Sequence, residues 1–95
     1  MRTIELSSAF KKDYKRAKAD PRHAQDVRGL CEAVSLLLAK DSPLPENCRD
    51  HALSGDWKGY RECHLKPDLL LLYRKKEPEI LRIARLGSHS ELFSK

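Results

Sequence analysis

Three histidines of this chain, His51, His64 and His89, stand beside predicted turns, with two carboxylates, Glu62 and Asp68, close to His64 in sequence. Histidine trades a proton near neutral pH, its unperturbed pKa being about 6.5. A carboxylate can take a proton or orient an imidazole. Groups of these types suit general acid–base catalysis, worth roughly 10²–10⁴-fold per well-placed partner. Cleavage of RNA without a metal asks for this equipment. A base removes the proton of a ribose 2′-hydroxyl, whose oxygen attacks the neighbouring phosphorus. An acid protonates the leaving 5′-oxygen, and a cation steadies the charged phosphorane. Arg61 and Arg85 are available as cations. The fourth histidine, His23, lies at a predicted helix start, away from this set.

Each residue also has a structural reading. His51 could cap a loop turn, and Asp68 after Pro67 could form only an Asx turn. His64 and Glu62 could be a polar pair on an exposed strand face, and His89 could be plain surface. The stretch Asp50–Asp68 argues otherwise. It holds the single tryptophan, Trp57, and the turn residues Gly55-Asp56 and Lys66-Pro67-Asp68. Read as a strand between those turns, it puts Tyr60, Glu62 and His64 on one face, because successive side chains alternate. Titratable groups then occupy a face that a core would fill with apolar ones, as functional sites tend to. A zinc site from Cys48, His51, Cys63 and His64 is disfavoured, since the neighbours Cys63 and His64 point to opposite faces and the spacing lacks the paired pattern. Cys63 as a nucleophile fails for the same reason.

The elements that must carry these residues follow from periodicity. Thr3–Leu6 alternates and reads as a short strand. Ser7 or Ser8 caps a helix over 9–19, with Phe10, Tyr14 and Ala17 on one face and Lys11, Lys12, Lys15, Arg16 and Lys18 on the other. Asp20-Pro21 breaks it and is expected to start a second helix, Asp20 as N-cap and Pro21 at its first position. In that helix Val27, Leu30, Cys31, Val34, Leu37 and Leu38 form a core stripe. Ser42-Pro43-Leu44-Pro45 stops it. A strand is expected over 57–64, and the apolar run from Leu69 through Tyr73 to Arg74 reads as a central strand covered on both faces. Lys75–Pro78 is a hairpin turn, 79–86 another strand, and 89–93 a short helical or irregular tail. The fold class is α+β, one domain over 1–95, with an N-terminal strand and two helices packed on an antiparallel sheet.

Size and composition agree. A chain of 95 residues buries a modest core without disulfides. Three cysteines, an odd number without regular spacing, argue for free thiols and a reducing compartment. The first residues lack the apolar run of a signal peptide, so a cytoplasmic location is expected. The net charge of +5 suits a polyanion or an acidic partner protein.

Several separated segments carry a resemblance. His51-Ala52-Leu53 with Gly55, then Trp57-Lys58-Gly59-Tyr60-Arg61-Glu62, His64, Pro67-Asp68, and Arg85-Leu86-Gly87-Ser88-His89 with Leu92-Phe93 resemble, in order and spacing, the YafQ branch of the RelE superfamily of bacterial toxins. The resemblance covers nearly the whole chain. It implies a RelE-like fold and a ribosome-dependent endoribonuclease, the toxin of a type II toxin–antitoxin pair, that cleaves mRNA in the ribosomal A site without a metal or other cofactor. It implies as partners a cognate antitoxin, DinJ-like or another acidic DNA-binding protein, and the 70S ribosome with its mRNA. Operator DNA would be met only through the antitoxin, and no membrane is involved. Carried over residue by residue, His51, His64, Asp68 and His89 become the acid–base set. Arg85 matches a basic position that stabilises the transition state, and Phe93 an aromatic that holds a base by stacking. Glu62 stands where close relatives have Asp; it is read with Arg61, Phe93 and the first helix's cations as contacting RNA. The division that follows has Asp68 or His64 as base, His89 as acid and His51 positioning the phosphate. Two other classes compete: a basic module that docks on RNA or the ribosome without cutting, and a subunit that accepts an acidic partner on operator DNA. By resemblance the last of these can coexist with the enzyme, whereas a pure binding module has no use for three histidines and an aspartate.

The basic helix face gives a prediction. Replacing Lys11, Lys12 and Lys15 by glutamine weakens co-sedimentation with ribosomes and leaves circular dichroism unchanged, because phosphate contacts are lost steeply with salt. An unchanged pellet fraction at moderate salt would move the docking surface elsewhere.

Overall fold

The run Leu69-Leu70-Leu71-Leu72-Tyr73 has no polar side to give to water, and the chain puts it in the middle of a sheet with every one of these residues buried. The computed structural model describes residues 1–93. In chain order the elements are β1 (Thr3–Leu6), α1 (Ser8–Ala19), α2 (Val27–Ala39), β2 (His51–Ala52), β3 (Arg61–Lys66), β4 (Leu69–Lys76), β5 (Ile80–Gly87) and α3 (His89–Phe93), with 3-10 turns at Glu46–Cys48 and Gly55–Trp57. The five-stranded sheet runs β1-β5-β4-β3-β2.

Alternation along β4 divides the molecule. Leu69, Leu71 and Tyr73 face α1 and α2, packing with Phe10, Val27, Val34, Leu38, Leu81 and Ile83. Leu70 and Leu72 face the other way and pack with Ala84, Leu92, Leu53, Trp57 and Tyr60. The sheet face that two helices leave uncovered is therefore floored with leucine and partly roofed by the 53–60 loop and α3.

Three expectations are corrected. The sheet is mixed: β1 pairs parallel with β5, Ile4 against Leu81, while the other pairings are antiparallel. Local alternation in Thr3–Leu6 carries no information about a partner nearly eighty residues away. The second helix begins at Val27, not at Pro21. Asp20 does cap the chain, but its carboxylate accepts from the Arg22 N–H at 2.9 Å and binds the Arg22 guanidinium, which closes turns over 21–26. The strand expected from Trp57 begins only at Arg61, because Trp57 ends a 3-10 turn and Gly59 has φ +95°. Ser7 is the N-cap of α1, accepting from the Phe10 N–H at 2.9 Å.

The edge of β5 is closed by side chains. Past Ile83 its partner β1 has ended, and α1 takes over. The Ser7 hydroxyl donates to the Ala84 carbonyl at 2.6 Å. Asp13, 3% exposed, accepts from the Leu86 N–H at 3.0 Å and from Arg85 at 2.6 and 3.1 Å. Buried carboxylates are kept only when so paired. Asp13→Ala strands the Leu86 N–H and part of the Arg85 charge, and should cost roughly 2–3 kcal/mol in urea unfolding. A loss below about 0.5 kcal/mol, the scatter of surface substitutions, would contradict this account of the edge.

Candidate active site

Strand register brings His51, Glu62 and His64 together. On β3, Glu62 pairs with His51 of β2 on one side and Leu72 of β4 on the other, and His64 pairs with Leu70. These side chains share the face opposite the main core. Beyond His64 the register shifts at Leu65, a bulge of the kind that ends a ladder and re-aims side chains. The turn at Pro67-Asp68 follows. α3 brings His89 in from above, started by a capping box: the Ser88 hydroxyl accepts from the Glu91 N–H at 3.1 Å, and Glu91 accepts from the Ser88 N–H at 2.9 Å. The His89 N–H donates to Asp68 at 3.3 Å, which ties α3 to the β3–β4 turn.

The rings lie in a row. His51 and His64 are 6.3 Å apart between centroids, His64 and His89 6.0 Å, and His89 and Phe93 5.8 Å. Beneath them sits Glu62, its side chain 4% exposed, with one oxygen 2.9 Å from His51 Nε2 and the other 3.7 Å from His89 Nε2. Asp68 lies 3.9 Å from His89 Nδ1 on the exposed side. His51, Leu53, Ser54, Trp57, Glu62, His89 and Phe93 line an open cleft of about 320 Å³.

Backbone carbonyls set the rings' hydrogen positions. His64 Nδ1 is 3.1 Å from the Cys48 carbonyl, so it carries a hydrogen, and the neutral ring presents a bare Nε2 lone pair. His51 Nδ1 is 2.8 Å from the Arg49 carbonyl while its Nε2 faces Glu62. Arg49 adopts φ 48°, a conformation uncommon outside glycine, in turning the chain from the 3-10 turn into His51. No spacing rule points to Cys48 or Arg49, because both act through their backbone.

The structure assembles His51, Glu62, His64, Asp68, His89 and Phe93 in one place. It does not bring Arg61 there. Arg61 alternates with Glu62, so it faces Tyr73, and its guanidinium binds Asp50 at 2.9 and 3.1 Å. Tyr73 donates to the same carboxylate, and burial first, then this bond, pushes its phenol above its ordinary range. Asp50 thus clamps the start of β2, one residue before His51. Arg85 lies in the register row of Leu72, but its guanidinium is held by Asp13. Glu62, expected to touch RNA, is buried under the rings. Phe93, 37% exposed, keeps a free face beside His89. Lys11, Lys12, Lys15, Arg16 and Lys18 ride on α1, across the sheet from the histidines, with Arg16 paired to Asp13 and Glu91 and Lys18 over Tyr14. Cys31, Cys48 and Cys63 are buried and free, burial pushes Cys31 up to about 12, and it raises Cys63 likewise.

Ligand atoms of Glu62, His64 and His89 all lie within 4.8 Å of one another. One carboxylate and two imidazoles make a donor set suited to zinc or another late transition metal. The Cys48 carbonyl behind His64 is the second partner such ligands use. This group shares only His64 with the cysteine-containing set weighed from the sequence.

The pattern of the family described as bacterial toxin of type II toxin–antitoxin system, YafQ, matches residues 2–94. The mRNA interferase toxin YafQ of Escherichia coli K12 is 41% identical over 92 residues, covering 97% of this chain and 96% of the relative. A metal-bound toxin from Helicobacter pylori superposes with TM-score 0.87 at 47% identity, covering 98% of this chain and all of the other. YafQ in the E. coli DinJ–YafQ complex does so with TM-score 0.80 at 41% identity, covering 98% and 99%. The chain belongs to the YafQ family of bacterial toxins of type II toxin–antitoxin systems.

Proposed function

We propose that this toxin is an endoribonuclease that cuts mRNA in the A site of the translating ribosome by acid–base attack of the 2′-hydroxyl, without a metal. The observation that carries the reading is the row of three imidazoles over one buried carboxylate, with a bare His64 Nε2 in its midst. His64 Nε2 takes the proton of the 2′-hydroxyl. The 2′-oxygen attacks phosphorus, and the bond to the 5′-oxygen breaks. His89, between Glu62 and Asp68, gives that oxygen its proton. The products are a 2′,3′-cyclic phosphate and a 5′-hydroxyl. His51, set against Glu62 and the Arg49 carbonyl, positions the phosphate as part of the cleft wall, and Phe93 stacks on a base. Asp68 stays the alternative base, or acts by keeping His89 in place. The partners are the ribosome with its message and, for neutralisation, an antitoxin of the DinJ kind, as seen with the E. coli relative.

The cleft is open and lined in part by loop residues, so it orients a nucleotide poorly alone. Orientation supplies much of such a rate, and the ribosome provides it. Primer extension on a translated message should show cuts only when ribosomes are present, and equal cutting of free message would rule out ribosome dependence. Induction of His64→Ala, Asp68→Ala or His89→Ala should no longer arrest growth. His89 and Asp68 are more than half exposed, so these last two truncations should cost about 1 kcal/mol or less in stability and spare antitoxin binding. A folded His89→Ala protein that still arrests growth would favour the non-catalytic docking module. Glu62→Gln keeps the volume and loses the charge, and single-turnover cleavage should fall roughly 10²-fold.

The metal question has its own test. Toxin stripped with a chelator, gel-filtered and then added to ribosomes should cut at the untreated rate. Added zinc or nickel ion should bind Glu62, His64 and His89, inhibit cutting and raise the melting temperature, and His64→Ala should lose that rise. Inactivity after stripping, restored by metal, would overturn metal independence.

A further inference from the structure

The wall of the cleft continues past Trp57. Its indole meets Tyr60 edge to face, centroids 5.3 Å apart at 87°. Over the other part of the Tyr60 ring lies Arg74, its guanidinium carbon 5.8 Å from the centroid. The same guanidinium lies 3.6–3.8 Å from where a Cβ on Gly59 would stand, and Gly59, at φ +95°, has none. Arg74 therefore lies between a glycine and an aromatic ring, yet it is exposed.

Its charge is unspent. The neighbouring arginines each meet an acid: Arg82 meets Glu5 at 2.7 Å, Arg85 meets Asp13 at 2.6 Å, and Arg61 meets Asp50 at 2.9 Å. Among the described residues no carboxylate lies within ion-pair distance of Arg74. A planar guanidinium held on an aromatic face, with its donors free, is equipment for a phosphate with a base stacked alongside. It also lies on the strand that frames the site. Tyr60 is two residues before Glu62, which places the pair about 7 Å along the ribbon from the Glu62–Leu72 row, roughly one step of an extended RNA strand.

We propose that Tyr60 and Arg74 form a second RNA subsite, which grips a phosphodiester of the strand next to the one cut; this rests on the endoribonuclease reading above. The unpaired cation supplies charge and bidentate donors, and Trp57 joins the subsite to the cleft as one continuous surface.

The test uses 70S ribosomes programmed with a message whose A-site codon is 2′-O-methylated and cannot be cut. Binding is measured by pelleting across a salt series for the parent, Arg74→Gln, Arg74→Lys and, as an equal charge change elsewhere, Arg28→Gln on α2. Arg74→Gln should bind roughly tenfold more weakly, as for one lost charge-assisted contact, with a salt slope shallower by about one. Arg74→Lys should recover part of the affinity, and Arg28→Gln should match the parent. Loss seen only on programmed ribosomes places the phosphate on the message, as proposed; equal loss without message places it on ribosomal RNA and overturns the subsite. Arg74→Gln binding with the parent's affinity and slope overturns the subsite, as does an equal loss in Arg28→Gln. Cleavage of unmodified message is followed in parallel. A parent that binds but never cuts sinks the endoribonuclease reading and leaves the subsite, and a parent that does not bind programmed ribosomes sinks both.

Discussion

A carboxylate buried under three imidazoles is the constraint on which the rest of this molecule turns. Glu62 has almost no contact with water, and an ionised group so placed is costly unless paired and hydrogen-bonded. Its partners are His51 and His89, from the two ends of the site-forming sequence. His51 contacts one of its oxygens at 2.9 Å and His89 approaches the other at 3.7 Å, so both rings cover the carboxylate. His64 stands between them, turned by the Cys48 carbonyl. Two rings are thus set by Glu62 and the third by a backbone carbonyl, and the spacing of about 6 Å between neighbouring rings leaves room for a phosphodiester to reach more than one of them.

The scaffold serves that arrangement through its two faces. Leu69, Leu71 and Tyr73 join the sheet to α1 and α2, which lets the opposite face be given over to chemistry on a floor of Leu70 and Leu72. Acids at the margins hold the frame: Asp13 closes β5 where β1 ends, and Asp50 locks β2 to Arg61 and Tyr73 just before His51. These same acids neutralise Arg85 and Arg61. Among the basic groups left for a polyanion are the lysines on the outer face of α1 and Arg74 in the corner beside the cleft.

Much of this was legible in the sequence because it is local. The apolar run at Leu69 has no other place than a central strand, and the i, i+3, i+4 stripe from Val27 is a helix facing a core. Strand alternation put Glu62 and His64 on one face, and the turn at Pro67-Asp68 put Asp68 near them. What escaped depends on distant partners. The parallel pairing of β1 is decided by β5. The roles of Arg61 and Arg85 are decided by Asp50 and Asp13, the latter 72 residues from Arg85. Glu62 reads as a surface acid until β2 and α3 close over it, and the carbonyls of Cys48 and Arg49 leave no trace in residue type. The start of α2 slipped because Asp20 forms a satisfied turn with Arg22 as readily as a helix cap.

The direct test of the central claim is nitrogen-15 NMR of the histidine side chains in the parent and in Glu62→Gln. The account predicts that neutral His64 carries its hydrogen on Nδ1 in both proteins, and that the ring-nitrogen signals of His51 and His89 move on substitution while those of His64 and His23 stay near their places. A His64 ring protonated on Nε2, or His51 and His89 signals indifferent to the loss of the carboxylate, would contradict it.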